Sequence, residues 1–434
     1  MKLILAILAF NIIIIIHEFG HYIVAKWNGI KVYEFSLFIG PKIYSFQHRE
    51  TTFSIRMIPM LAYVAFDKED SVYEDRSLNQ HSVGARAAVM AAGALFNIFS
   101  AAIAFAIMFA IAGYQTTEIS SVQKDTPAYS AGFQKGDKVV SFDGKRIFQP
   151  MEVDMFMYNI SKGDTVDVEV LRDGNPVKLT MAPRIIPENR PMIGFSAKSL
   201  NGEPTNIIDT LEPGGPAEKA GLKPGDIIVG LNDASITSMQ QILNFMYQNQ
   251  GESVMVTVSR NGQRLQPVEI TPKRGTNPEI YSTDLYFTFK QGNLLEIIGE
   301  SVVRTYSFTR IGLYSFAWLA QGKVPVNQMT GAVGAVDAIN TAVQQSASMK
   351  DALIYLLFMS ALISIGLGVT NLLPIPPADG SKLVLLAVEA VRRKPIPQEK
   401  EAMIMMAGFV FMIALFVFTL YNDIARIVTR VFGG

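Results

Sequence analysis

The sequence has no cysteine and only four histidines in 434 residues. The first absence excludes disulfides and every thiolate metal site, though it leaves the compartment open. The second confines imidazole chemistry to His17, His21, His48 and His81. Charge is also scarce, at 18% of residues, and 38 basic side chains balance 38 acidic ones. No overall basic pull toward nucleic acid exists, so a nucleic-acid partner is not expected. What the chain has in quantity is hydrophobic residues, at 49%, a mixture that suits several membrane spans plus a water-soluble part.

Four apolar stretches, about Leu3–Ala25, Ala87–Gly113, Ala352–Leu372 and Ala402–Tyr421, each approach the ~20 residues that a helix needs to cross a bilayer. The first begins like a secretory signal, with Lys2 before an apolar run, but no small-x-small cleavage site closes it and the run continues into His17-Glu18.

Between the second and third stretches the character changes. Residues 114–290 are polar, rich in Gly-Asp and Asn-Gly turns, and carry short alternating runs such as Val166–Leu171 and Ser253–Ser259, which are strand and turn signals. They also repeat. Thr126-Pro127-Ala128 recurs as Gly215-Pro216-Ala217, Gly136-Asp137 as Gly225-Asp226 and Arg172-Asp173-Gly174 as Arg260-Asn261-Gly262, at an offset near 89 residues. The run Pro216 to Ile228 resembles the signature of bacterial PDZ domains, and Thr126 to Val140 is a looser version. A PDZ domain adds an extended peptide to a sheet edge. Only Ile193-Gly194-Phe195 resembles the loop that binds a peptide C-terminus. Two spacer domains without a ligand are the alternative reading. Residues 293–320 carry apolar groups at helical spacing (Leu294, Leu295, Ile298, Val302, Val303), which predicts an amphipathic helix lying on a membrane surface or packing against the repeat pair.

The chemistry-bearing motif is His17-Glu18-Phe19-Gly20-His21. On a helix, His-Glu-x-x-His puts two imidazoles one turn apart on one face, where both can bind one zinc ion, with the Glu as general base toward a bound water. Ionisable groups at the end of a hydrophobic span are costly and usually functional; two histidines capping a helix at the interface are the plainer reading. A catalytic zinc needs a third protein ligand, and His48, His81 and Asp379 are candidates. Asp379 follows a proline-rich break at the end of the third stretch, Asn371-Leu372-Leu373-Pro374-Ile375-Pro376-Pro377-Ala378-Asp379-Gly380. With four spans the first and third run in the same direction, so His17, His21 and Asp379 arrive on one side. That side carries Lys31, Lys42, Arg49, Arg56, Lys68 and Arg76 in one loop and Lys382, Arg392, Arg393, Lys394 and Lys400 in the other. By the positive-inside rule it is cytoplasmic, and both termini and the repeat pair face away from the cytoplasm.

In these motifs the chain resembles the site-2 proteases, intramembrane zinc metalloproteases, and within them the Gram-negative regulators of an envelope-stress sigma factor. The resemblance spans HEFGH, the Glu34–Pro41 segment, Gly93-x-x-x-Asn97 in the second span, tandem PDZ domains, and Asn371…Asp379-Gly380. It implies one zinc held by His17, His21 and Asp379, Glu18 as base, and Asn371, Asn97, Gly93 and Pro374 as substrate contacts. Residues 31–66 resemble the family's membrane-associated β-hairpin. Implied substrates are single-span proteins already trimmed by an upstream site-1-type protease, such as an anti-sigma factor, and leftover signal peptides, at the bacterial inner membrane. The sequence departs from the family at Ala378, Ser381, Met60-Leu61-Ala62-Tyr63 and Thr330-Gly331-Ala332-Val333-Gly334; none of these removes a ligand.

The expected fold is a polytopic α-helical membrane protein of about four spans, with a membrane-associated β-hairpin and two tandem extracytoplasmic PDZ domains. The divisions are 1–113 for the first half of the membrane core, 114–198 and 199–290 for the repeats, 291–350 for an amphipathic linker and 351–434 for the second half. A non-catalytic PDZ scaffold and a zinc transporter are the rival functions. Intact Glu18 and Asp379 oppose the first, and the scarcity of polar residues in spans three and four opposes the second.

Overall fold

The computed structural model describes every residue except 1, 67–77, 125, 158–159, 162, 187, 201–202, 250, 275–279, 324–330, 345, 347 and 433–434. Lys68, Arg76 and Thr330, used above for topology and for a loop motif, lie outside the described residues. The chain forms two units: residues 1–112 with 292–434, and residues 113–291.

The first unit is helical. Its helices are α1 (Lys2–Trp27), α2 (Val83–Ala112), α3 (Leu294–Ala320), α4 (Ala332–Gln344), α5 (Met349–Leu372), α6 (Asp379–Arg392) and α7 (Gln398–Phe432). Four of them, α1, α2, α5 and α7, are long and apolar enough to cross a membrane. The central helix is α2, with α1, α3, α5 and α6 packed around it. Close approach to α1 is permitted by Gly20, where a Cβ would stand 2.6 Å from the Ala92 carbonyl oxygen. The amphipathic segment of the sequence forms α3, opened by a capping box between Asn293 and Glu296. It packs on α2 and α5, with Phe308 stacked on Phe105 at 5.6 Å and edge-on to Phe358 at 6.0 Å. Ile297 and Ile311 are buried on this helix, whereas Leu294, Leu295, Ile298 and Val302 of the sequence stripe remain exposed.

Two polar ties hold the later helices. The Arg86 guanidinium of α2 forks onto the Glu389 carboxylate of α6, with Nη1 donating to Oε2 at 3.1 Å. Asp423, buried in α7, accepts the backbone N–H of Gly334 at 2.7 Å and of Gly331 at 3.3 Å. A carboxylate inside an apolar helix is costly alone, and here it satisfies open N–H groups at the start of α4.

Between α1 and α2 lie β1 (Glu34–His48) and β2 (Thr51–Ala65), joined by a tight turn. Both strands fold back on themselves. Glu34–Leu37 pair with Thr52–Ile55 on one side and with Ala62–Ala65 on the other, so Ala62–Ala65 forms an outer edge. Arg56 pins the layers, donating to the Gly40 carbonyl at 2.7 Å, the Tyr63 hydroxyl at 2.6 Å and the Glu34 carboxylate at 2.9 Å. Ile43, Tyr44, Phe46, Met57 and Leu61 remain exposed on this element.

Beside the short pairings of Pro191–Met192 with Lys273–Arg274 and of Arg184–Ile186 with Ile280–Ser282, the second unit holds two larger sheets built on one plan. In the second, the order runs Phe195–Leu200, Glu203–Leu211, Ile227–Leu231, Val254–Arg260 and Gln263–Arg264; in the first it runs Tyr286–Lys290, Tyr114–Ser121, Lys138–Phe142, Val166–Arg172 and Asn175–Met181. The repeated Gly-Asp and Arg residues meet identically. Arg172 Nε donates to Asp137 at 2.7 Å, and Arg260 Nε to Asp226 at 2.7 Å. The sheets differ from the sequence division at 198/199 in their outermost strands. Tyr286–Lys290 belongs to the first sheet, hydrogen-bonded to Tyr114–Ser121, and Phe195–Leu200 belongs to the second. The physical reason is simple: 89 residues before Phe195–Leu200 the chain lies inside α2, so the first sheet takes its edge strand from beyond the second repeat.

Pairing with Arg260 holds the Asp226 carboxyl below the usual carboxylate range. A folded-state value below the unfolded one, about 3.9, means that the stabilisation is complete above that pH and is lost as pH falls through the lowered value. Asp226→Asn is expected to flatten this acid limb, read as hydrogen exchange of residues 203–270 in the full-length protein between about pH 5 and pH 3.

Candidate metal centre

His17 and His21 lie four apart on α1, which places both imidazoles on one face, while Asp379 is the first residue of α6. The chain delivers Asp379 because α5 ends at Leu372 and residues 373–378 carry it into α6. Both imidazoles are buried and the Asp379 side chain is 15% exposed. His17 Nε2 and His21 Nε2 each stand 3.2 Å from Asp379 Oδ2, and 3.2 Å from each other. A tetrahedral ion with ligand bonds of about 2.0–2.1 Å spaces its ligand atoms roughly 3.3–3.4 Å apart. The triangle therefore fits zinc with little adjustment.

Tautomer chemistry supports the same conclusion. His21 Nδ1 lies 2.7 Å from the Val89 carbonyl oxygen, which can only accept, so Nδ1 carries the proton and Nε2 presents its lone pair to Asp379. The His21 Nε2 lone pair and the Asp379 carboxylate, both acceptors, repel unless a proton or a cation joins them.

The rear wall is one face of α2. Val89, Gly93 and Asn97 follow at intervals of four. At Gly93 a Cβ would stand 2.5 Å from His21 Nε2 and 2.7 Å from His17 Nε2, so any side chain would displace the imidazoles. Asn97 is fully buried, with its side-chain amide 3.2 Å from His17 Nδ1. Gly93 and Asn97, expected as substrate contacts, both lie against the histidines.

Glu18 is half-buried, and its carboxylate lies near the backbone of Val64. Tyr33 N–H meets the Ala65 carbonyl at 2.9 Å, so Ala65 points into the sheet. By strand alternation, Val64 and Ala62 turn their backbone groups outward, toward the Glu18 side. No sequence signal marks this juxtaposition, because pairing register is not a local property. Asn371 sits half-buried in the last turn of α5, and its amide makes no hydrogen bond among the described residues; Pro374 is exposed just beyond it. His48 is exposed at the β1–β2 turn and takes no part in the cluster, nor does His81. Ile193, Gly194 and Phe195 lie in the other unit, where Gly194 has φ of +83° ahead of the edge strand.

A family model described as peptidase family M50 matches residues 5–415. Among similar proteins are the zinc metalloprotease RasP of Oceanobacillus iheyensis and the regulator of sigma E protease of Haemophilus influenzae, each 27% identical over 97% of this chain and 98% of that one. The regulator of sigma-W protease RasP of Bacillus subtilis is likewise 27% identical over 97% of each.

Proposed function

The chain belongs to peptidase family M50, the site-2 proteases, and we propose that this metalloprotease hydrolyses peptide bonds within the transmembrane segments of single-span proteins already trimmed by a site-1-type protease. The observation that carries the proposal is the convergence beside Glu18 of His17 and His21, on a helix that can cross a membrane, with Asp379, shortly after the end of another such helix. Zinc bound by these three residues supplies a Lewis acid and a water of lowered pKa. Glu18 follows His17 directly and takes the proton of the attacking water, then hands it to the leaving amine. A helical peptide bond is shielded by its own hydrogen bonds. The outward groups of Ala62 and Val64 offer a strand edge on which an unwound substrate can pair next to Glu18. The free Asn371 amide suits the opposite side of such a strand. Purified protein with a trimmed single-span substrate should release products whose ends map inside the span, and chelation should stop it. Cleavage confined to soluble loops would refute the proposal.

Relatives named for sigma-E and sigma-W regulation favour a membrane-bound anti-sigma factor as substrate, with leftover signal peptides as a second class. The lysine and arginine distribution favours an inner membrane with the repeat unit on the periplasmic side and the metal nearer the cytoplasm.

We read the two repeats as PDZ domains that act as a size filter more than as readers of C-termini. In the second, Gly194 opens the edge strand, but a Cβ there would stand 3.1 Å from the Glu212 carboxylate. In the first, Asp284 takes the matching left-handed position at φ +52°, and its carboxylate pairs with Arg184 at 2.9 Å. Acidic groups at both loops disfavour a peptide carboxylate. Replacing residues 113–291 by a short linker removes the whole unit, including the strand 286–290 that a shorter deletion would orphan. The filter predicts that the deleted enzyme still cuts trimmed substrate and now accepts one that keeps its bulky soluble domain. Unchanged rejection of the untrimmed substrate would rule the filter out.

A further inference from the structure

An asparagine with no exposed surface, in the middle of a helix that can cross a membrane, is expensive unless its amide is fully partnered. Asn97 is such a residue, and only one side of its amide is used. Nδ2 lies 3.2 Å from His17 Nδ1, while Oδ1 is buried without a partner among the described residues. The two ends of a carboxamide have nearly the same shape, and their assignment follows from the hydrogen-bond network. A neutral imidazole carries one proton. If Nδ2 donates to His17 Nδ1, that proton must sit on Nε2, the atom facing Asp379 and His21. With the amide turned over, Oδ1 accepts Nδ1–H and Nε2 presents a lone pair.

We propose that Asn97 is a positioning residue for His17: its amide oxygen accepts the Nδ1 proton and fixes the tautomer that binds the metal. This rests on the zinc reading given above. The Val89 carbonyl does the same for His21, two turns earlier on the same face of α2. The Asn97 backbone carbonyl accepts the hydroxyls of Ser100 and of Ser364 on α5, both at 2.9 Å, which holds α2 against α5 at this point. Outer partners of metal-bound histidines set ring orientation and basicity, and losing one typically weakens metal binding about 10–100-fold.

The test is zinc affinity by chelator competition on the purified full-length protein, with a thermal melt of each variant to establish folding. Asn97→Leu removes the acceptor and is expected to weaken zinc binding about 10–100-fold. Asn97→Asp keeps an acceptor and loses the donor, and is expected to hold zinc within about threefold of wild type, since a carboxylate–histidine–zinc relay is a common arrangement. A substrate-binding role through the NH₂ group would give the reverse pattern: unchanged zinc affinity in both and a raised KM in the aspartate variant. Should Asn97→Leu fail to fold, Asn97→Ala against Asn97→Asp makes the same comparison. Zinc binding that is equal in wild type and the leucine or alanine variant, or as weak with aspartate as with alanine, overturns the proposal. A wild-type protein that binds no zinc overturns the metal reading itself, and the proposal with it.

Discussion

Replacing Glu18 with glutamine is expected to leave zinc in place and to slow cleavage by at least about a hundredfold, the lower end of what a positioned proton carrier contributes. Glutamine has nearly the same shape as glutamate and fills the same place beside the Val64 backbone. The β2 edge should therefore stay where it is, and His17 and His21, whose partners are Asp379, Val89 and the Asn97 amide, lose nothing. What disappears is the ability to take and return a proton near neutral pH. The variant should still engage substrate, so crosslinking to a trimmed single-span protein persists while turnover falls. Metal analysis and single-turnover cleavage on the same preparation separate the two. Near-normal turnover in a zinc-loaded variant would mean that another group activates the water.

Much of this centre was legible in the sequence because its parts are local. His17 and His21 four apart, and a proline-rich break before Asp379, are spacing signals that need no knowledge of the fold. The third ligand needed one more step, the common direction of spans one and three. The helices that can cross a membrane match the four apolar stretches within a few residues, because their length is set by the bilayer and not by packing. The helical period of α3 was legible too, though its docking on α2 and α5 was not, since an apolar stripe does not name its partner.

What the sequence hid is relational. The spacing Gly93-x-x-x-Asn97 marks one face of α2, but nothing in it says that the face meets the imidazoles. The exchange of edge strands was equally invisible: the repeat of 89 residues holds for Tyr114–Ser121 and Glu203–Leu211, yet its first copy would begin inside a helix. The Val64 contact with Glu18 depends on β1 and β2 each folding back, with Leu61 at φ +65°, which alternation of residue type does not encode. In each case the missing fact is a long-range pairing, fixed only when the whole unit closes.

Replacing Asp379 with alanine should abolish proteolysis and strip most of the zinc. The carboxylate is one corner of a triangle whose three edges are all 3.2 Å, and a catalytic zinc site rests on three protein ligands. Two imidazoles alone would hold the ion more weakly by more than the roughly 10–100-fold that an outer partner is worth. Collapse of the surrounding structure is not the expected cause. Helix α6 is also held by the Arg86–Glu389 fork and by the close seat of Gly380 under the Leu372 carbonyl, neither of which involves the lost carboxylate. Glu389→Gln serves as the contrast: it loosens α6 without touching a ligand, so it should lower the melting temperature more than zinc affinity. Asp379→Ala should do the opposite, with metal content measured on protein equilibrated in buffered zinc. Full zinc occupancy in Asp379→Ala would place the third ligand elsewhere. With His48 exposed at a turn and His81 outside the cluster, it would also require a rearrangement of α1 that no contact in the structure anticipates.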